Sequence, residues 1–530
     1  MHREGTATTA TIRGSFIPIA SVAVILLGIA LVPVLVVQIP PLVDYPNHLA
    51  RMLILADGGQ SPWLTQYYEV HWNFLPNLGM DMVVPPLTRL MSLETAGKVF
   101  IGLTFALLVG GVMALHAALH RRWSPWPLLA FFFLYNSVFL WGFLNYLFGL
   151  GLAFFSCAIW VMLRERSAIL VVGLFSAIVT VLFFAHLFAC GVFALVVLPY
   201  EFAQWWIRPS KSPSSLFPLG LKTFPIVVVP LVLLLLSPSF KNEPDNYPFW
   251  FREMEKPPII DFSPLSAKSE ALKGAIRTEH QTLDRITAVA LMSLMGIGLA
   301  FGRCLIVPSM YLPLATVALA ALAMPGSVGT TTLVDIRMPI VFLLVLIAGS
   351  DWTALQWRWV IPIAVIACTL YMIRISAITD HWRETDRHYR QFINQLDRLP
   401  EGAKLLSAIK LANFDAYSPA EGRIPESMPM VNLSCWGVTR RGLFVSNIFA
   451  APGQQPIRLR PAVRHLLTME EFLLGSKPIP WDRISVQYDY VVARRNQRLK
   501  PPVPAYFTLV SAGDEFEFYQ TTGKQIVGVE

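Results

Sequence analysis

A chain of 530 residues that is 55% hydrophobic and only 14% charged, with a mean hydropathy of +0.53, is too apolar for a soluble protein of that length, so the bilayer must be its main solvent. Its formal charge of +8 is spread over short connections between apolar runs, which excludes the single basic patch of a nucleic-acid-binding protein. Of the five cysteines, Cys157, Cys190, Cys304 and Cys368 sit inside apolar runs and Cys435 stands alone in the polar tail, which excludes a disulfide framework or a CxxC metal pair.

The first apolar run, 16–37, is longer than a signal-peptide core and lacks a small-residue cleavage site before Gln38, so it predicts an uncleaved first helix. At about 20 apolar residues per crossing, further helices are predicted near 97–119, 125–142, 145–163, 168–186, 188–206, 221–237, 286–302, 305–324, 336–349 and 359–376, about eleven in all. The run from Ala168 to Trp206 is twice a single span and is predicted to fold back near His186 and Gly191. Gly110 and Gly111, with Gly149 and Gly151, read as close helix-packing positions rather than phosphate loops.

Arg3, Arg13, Arg121, Arg122, Arg164, Arg166, Arg208, Lys211, Lys222, Arg303 and Arg358 all fall on one side of these spans, which the positive-inside rule makes cytoplasmic. The segment 239–285 is assigned to the other side although it carries Lys241, Arg252, Lys256, Lys268, Lys273, Arg277 and Arg285, interleaved with acids. The expected organisation is therefore a transmembrane module over 1–376, with outer loops 40–95 and 239–285, and a soluble α/β domain over 377–530. With a bacterial cell assumed, the chain lies in the inner membrane, its N-terminus cytoplasmic and its C-terminal domain periplasmic.

The tail opens with a polar helix near 380–399, in which Trp382, Tyr389, Phe392, Ile393 and Leu396 recur on one face. Strands are predicted over 404–409, 443–449 and 484–492, a helix capped by Thr468 and Glu471 ahead of Phe472, and a closing hairpin of 507–511 and 515–519. Asn432-Leu-Ser434 matches a glycosylation acceptor, a pattern too frequent by chance to carry a function.

Directly after the first helix the chain reads Asp44-Tyr-Pro-Asn-His48-Leu-Ala-Arg51. Pro46 starts a helix there, and positions i, i+4 and i+7 place Asp44, His48 and Arg51 on one face. Such a face suits a general base, a phosphate site or a metal ligand, while N-capping by Asp44 explains the acid equally well. In Val334-Asp-Ile-Arg-Met-Pro339, Arg337 lies where the chain re-enters hydrocarbon and needs an anion, either Asp335 or a lipid phosphate, which a planar guanidinium fits. His186 and Asn145 are polar groups in apolar surroundings, for which helix–helix hydrogen bonding is the first explanation. Asp81, His71 and Lys241 are loop charges of lesser weight, and His116 lies toward the cytoplasmic end.

This layout resembles the GT-C superfamily of membrane glycosyltransferases. It shares a short cytoplasmic N-terminus, an acid just after the first helix (Asp44 in Asp-Tyr-Pro-Asn-His), a second long outer loop after the seventh helix, a late Arg337 followed by Pro339, and a soluble tail. The resemblance implies an inverting transfer of a sugar from a polyprenyl-phosphate carrier to an extracytoplasmic glycan, lipid or protein acceptor. Asp44 would be the base and Arg337 the phosphate contact, with His48, Arg51, His186, Asp335 and Asn145 around the substrate. Many relatives carry two adjacent loop-one acids, whereas Tyr45 follows Asp44 here, so Asp44 acts alone or Asp81 supplies the second. No metal cluster is visible in the spacing, so neither a metal nor another cofactor is expected beyond the lipid-linked donor. A lipid-linked sugar flippase, which calls for mid-membrane polar groups and inverted repeats, and a non-catalytic scaffold of a polysaccharide assembly complex are the rival readings.

Overall fold

The computed structural model describes residues 5–207, 216–240, 260–262, 264–328, 331–352, 357–409, 430–451, 453–468, 478–495, 497, 499 and 501–521. Eight described helices are long and apolar enough to cross a membrane. Exposed Ile17, Val24, Ile25, Leu231, Leu235 and Val365 belong to these helices. That much outward apolar surface is what lipid contact requires, and the chain is a multi-pass membrane protein.

In chain order, α1 (Gly5–Val36) is followed by α2 (Tyr45–Asp57), β1 (Tyr68–Val70), α3 (Gly79–Leu87) and α4 (Leu93–His120), the last capped by Ser92, whose hydroxyl accepts from Thr95 N at 3.2 Å. Then come α5 (Leu144–Leu163), α6 (Ala168–Ala185), α7 (Leu187–Ile207), α8 (Leu216–Leu236), α9 (Leu265–Gly274), α10 (Gln281–Ala300), β2 (Cys304–Ile306), α11 (Tyr311–Ala323), α12 (Met338–Gly349), β3 (Ser350–Trp352) and α13 (Trp357–Leu396). The predicted reversal near His186 is present: that residue alone is extended between α6 and α7. Helices α4 and α5 pack at the predicted glycines, since a Cβ on Gly111 would come within 2.6 Å of the Gly151 carbonyl oxygen.

Three predicted spans differ. Segment 125–142 is not one helix but a 3-10 turn run, Trp126–Phe133, and a short helix, Ser137–Leu140. Pro125 and Pro127 remove donors, and Asn136 takes up local backbone groups, donating to Phe133 O at 2.7 Å and accepting from Phe139 N at 3.0 Å. The segment predicted at 305–324 begins with strand β2, antiparallel to β3, and becomes α-helical only at Tyr311. That at 336–349 is helical from Met338, and its first residues form a 3-10 turn, Asp335–Arg337.

No break separates the last span from the predicted polar helix; both are α13, with Pro362 in its apolar half. The polar half buries the predicted face of Trp382, Tyr389, Phe392, Ile393 and Leu396, and Phe392 meets Phe516 and Phe518 edge-on and tilted. Those two belong to a five-stranded mixed sheet. Its strands are β4 (Lys404–Ala408), β5 (Phe444–Val445), β7 (Tyr490–Arg494), β8 (Phe507–Ala512) and β9 (Phe516–Thr521), in the order β8-β9-β7-β4-β5. One further strand of the C-terminal region, β6 (Ile457–Leu459), pairs instead with β1 in loop one, Glu69 opposite Arg458. The predicted strands at 404–409 and the closing hairpin are present. The strand predicted at 443–449 shortens to Phe444–Val445. That at 484–492 is helix Trp481–Gln487 followed by β7, because Trp481, Ile484 and Ser485 bury one helical face. Residues 469–477, with Glu471 of the predicted cap, and Lys241 lie outside the described residues.

Candidate active site

Two tertiary contacts place Asp44. Beyond α1 the backbone N–H groups of Gln38 and Ile39 donate to Asp386 Oδ1 of α13 at 2.8 and 3.0 Å. The chain then turns against the end of the broken segment, with Val43 N donating to Leu140 O at 2.9 Å and Asp44 N to Trp141 O at 3.2 Å. Gly142 permits this approach: its φ is +86°, and a Cβ there would sit 2.8 Å from Asp44 N. Although Asp44 precedes α2, its side chain makes no capping hydrogen bond. Capping therefore does not explain the acid. The carboxylate accepts instead from Asn432 Nδ2 at 3.4 Å.

Asn432 belongs to a buried amide cluster that joins the C-terminal region to the start of α2. It also donates to Val43 O at 2.9 Å and accepts from Asn47 Nδ2 and Asn447 Nδ2, each at 3.3 Å. Asn47 donates to Asn447 O at 2.8 Å and accepts from Phe449 N at 2.7 Å. In the sequence Asn47 and Asn447 carry no motif of their own, and Asn432 matches only a chance acceptor pattern. The one available signal was that Asn47 lies within the Asp44-to-His48 motif.

Asp44 as a whole is half-buried. Burial pushes its pKa up to about 7, with Arg51 and then Arg337 pulling it back. His48 shares the face, and its Nε2 lies 3.2 Å from Gly142 O. Burial, then Arg51, lowers its pKa to about 3, so the ring is neutral and serves as an N–H donor to the turn that supports Asp44.

Arg51 is already spoken for: its guanidinium grips both carboxylate oxygens of Asp81 at 2.6 and 3.0 Å, and both side chains are buried. The pair locks α2 to α3, so Arg51 is not available as a phosphate clamp, nor Asp81 as a free second acid. Asn145 is likewise engaged, accepting from Met80 N at 2.7 Å and donating to Asn77 O at 2.5 Å. Asn77 in turn accepts from Leu187 N at 3.0 Å, so loop one is tied down to the α6–α7 joint.

Arg337 is different. Asp335 turns to Lys268 of α9, 3.1 Å away, and among the described residues no carboxylate pairs with Arg337. Its guanidinium is buried, with Nη2 donating to Thr332 O at 3.2 Å and Nε without a partner. Its Cζ lies 4.5, 5.1 and 5.8 Å from the ring centres of Phe143, Phe188 and Tyr146, and Tyr146 donates its hydroxyl hydrogen to Arg337 O at 2.7 Å. His186 packs edge-on against Tyr146 at 5.4 Å and accepts from Phe188 N through Nδ1 at 3.1 Å, so it helps to hold the aromatic cage. By contrast Arg374, buried in α13, has its carboxylate in Asp284 at 2.5 Å. A buried cation held by aromatic faces, with unused N–H donors, is a ready anion site. Gly142 touches Asp44 while the adjacent Phe143 touches Arg337, so one turn carries both groups, and each acts electrostatically on the other.

The class defined by these features is a multi-pass membrane protein that holds a carboxyl whose pKa burial raises, and a buried guanidinium with no carboxylate pair among the described residues, against the two sides of one turn. Among known proteins, no family model and no curated protein matches the chain. Solved structures of ArnT from Cupriavidus metallidurans are similar to it. The form bound to undecaprenyl phosphate has a TM-score of 0.46 and 13% identity, covering 98% of this chain and 99% of that one. The apo form has 0.44 and 14%, covering 96% and 98%. At those values the likeness carries no weight for the site or the activity.

Proposed function

We propose that this protein is a GT-C-type glycosyltransferase that moves a sugar from a polyprenyl-phosphate carrier to an acceptor hydroxyl. The observation that carries this reading is geometric: the Asp44 carboxyl and the buried Arg337 guanidinium, which has no carboxylate partner among the described residues, lie against the adjacent residues Gly142 and Phe143, and burial raises the carboxyl's pKa. A base near the working pH can take a proton, and a preorganised cation stabilises charge as it develops on a leaving group. The acceptor O–H proton passes to Asp44 while its oxygen bonds to the anomeric carbon. The bond from that carbon to the phosphate oxygen breaks, and its electron pair leaves with the polyprenyl phosphate beside Arg337. One displacement inverts the anomeric centre. The division of labour uses no metal, and activity should survive a chelator.

In this reading the Asp44 face of the bundle is periplasmic in a bacterial inner membrane and the Arg122 face is cytoplasmic, in keeping with the arginine-rich short connections. The C-terminal region, through Asn432, orients the base. The deciding experiment is transfer from a radiolabelled lipid-linked sugar by purified Asp44→Asn protein. Loss of transfer with retained binding of polyprenyl phosphate is expected, and full transfer would overturn the assignment.

A further inference from the structure

At the far end of α4 from the Asp44 site, His116 and His120 stand one helical turn apart, with ring centres 4.2 Å from one another and planes 25° apart. Nineteen residues from Gly97, which packs under Tyr45, to His116 amount to about 28 Å of helix axis, so this cluster belongs to the opposite face. His116 is fully buried, and neither of its ring nitrogens makes a hydrogen bond; Nε2 of His120 is also buried without one. A neutral imidazole always carries one N–H, so this arrangement strands at least one buried donor. The third member, Asp351 of β3, faces the pair, with Oδ1 at 3.8 Å from His116 Nε2. One ligand atom from each of the three residues lies within 4.8 Å of the others.

We propose that His116, His120 and Asp351 form a binding site for a divalent transition-metal ion of the Zn2+ type. Two imidazoles at i and i+4 on a helix project their nitrogens to one point, and a carboxylate completes a three-ligand set that leaves a fourth position for water. Zn–ligand bonds of about 2.0–2.1 Å set tetrahedral ligand atoms about 3.3 Å apart, so binding would draw the three ligand atoms together. The carboxylate is already held in place: Arg122 donates to Oδ2 through Nε at 2.8 Å and also through Nη2, and Ser124 Oγ and Trp352 N donate to Oδ1, the oxygen that faces His116, at 3.1 and 2.8 Å. Such outer contacts accompany metal-bound carboxylates. The ion would pin the end of α4 to the β2–β3 pair, and it takes no part in the sugar transfer proposed above.

The test uses full-length protein in detergent, free of any polyhistidine tag and stripped by chelation. Co2+ is titrated and followed by its visible absorption, and Zn2+ is then added in competition. One saturable Co2+ per chain with d–d bands of tetrahedral intensity, displaced by Zn2+, is expected. His120→Ala and Asp351→Asn, which leave the buried His116 in place, should each weaken binding at least about tenfold. Zn2+ should raise the melting temperature of the parent protein and not that of the doubly substituted one. Absence of saturable Co2+ binding would overturn the proposal, as would binding that persists unchanged in His120→Ala, Asp351→Asn protein of normal melting temperature.

Discussion

If Asp44 is the base, transfer must follow its ionisation. The carboxyl is raised to about 7 because burial outweighs the pull of Arg51 and Arg337. The active form is the deprotonated one, so activity is present above that pKa and lost below it. With a pKa of about 7, roughly 1% of the base is ionised at pH 5 and about 90% at pH 8, so kcat/KM should rise nearly a hundredfold between them with unit slope on the acid side. Removing Arg337 removes one of the two cations that lower this pKa, so in Arg337→Met protein the midpoint should move upward. Asp44→Asn keeps the shape and the Asn432 contact of 3.4 Å, and no cap is lost, so the melting temperature should change little while kcat falls by about 10²–10⁴. The measurement is initial-rate transfer from lipid-linked donor in detergent at constant ionic strength over pH 5–8, with the melting temperature recorded at each pH. A flat profile for a chemically limited step, or Asp44→Asn activity within threefold of the parent, would refute the reasoning.

Loss of the guanidinium in Arg337→Met should weaken polyprenyl-phosphate binding by roughly 10- to 150-fold, the worth of one charge-assisted hydrogen bond of about 1.5–3 kcal/mol, read by native mass spectrometry. Arg337→Lys should recover only part, because an ammonium cannot fill the planar cage between Phe143, Phe188 and Tyr146. Asp81→Asn leaves Arg51 buried and unpaired, so it should cost about 3–5 kcal/mol and lower the melting temperature before it touches the chemistry. Gly142→Ala forces a side chain into a left-handed conformation at about 1–2 kcal/mol and pushes on the Asp44 backbone, so kcat should fall with donor binding intact. Asn432→Ala removes the bond to the carboxylate; it should raise the midpoint of the pH profile and lower kcat, whereas an unchanged midpoint would leave Asn432 as a structural tie alone.

What the sequence displayed, and what it hid, divides along the distance over which a residue finds its partner. Apolar length located the eight described helices that are long enough to cross a membrane, though not the other three of the eleven predicted spans, and the reversal at His186 followed from a run too long for one span. Conformation inside segment 125–142 was hidden, because periodicity says apolar while Pro125, Pro127 and Asn136 decide how the backbone bonds are met. In the tail, the helix at Trp481–Gln487 was mistaken for strand because Ile484 and Val486 alternate as a strand would, and only the burial of Trp481 with Ile484 selects the helical period. Asp44 and Arg337 stood out because each lies in a short motif beside a predicted helix end. Yet the same reasoning also raised Arg51, Asp335 and, with less weight, Asp81, since a charge near hydrocarbon demands a counter-ion whatever its purpose. Only tertiary placement separates them: Arg51 meets Asp81, Asp335 meets Lys268, and Asn432 reaches Asp44 across 388 positions. Arg337 differs from Arg51 in what does not face it, and local sequence cannot register the absence of a distant carboxylate. A site of this kind is therefore legible as a set of candidate charges, and it is tertiary pairing, of Arg51 with Asp81 and of Asp335 with Lys268, that sets Arg337 apart as a buried guanidinium with no carboxylate partner among the described residues.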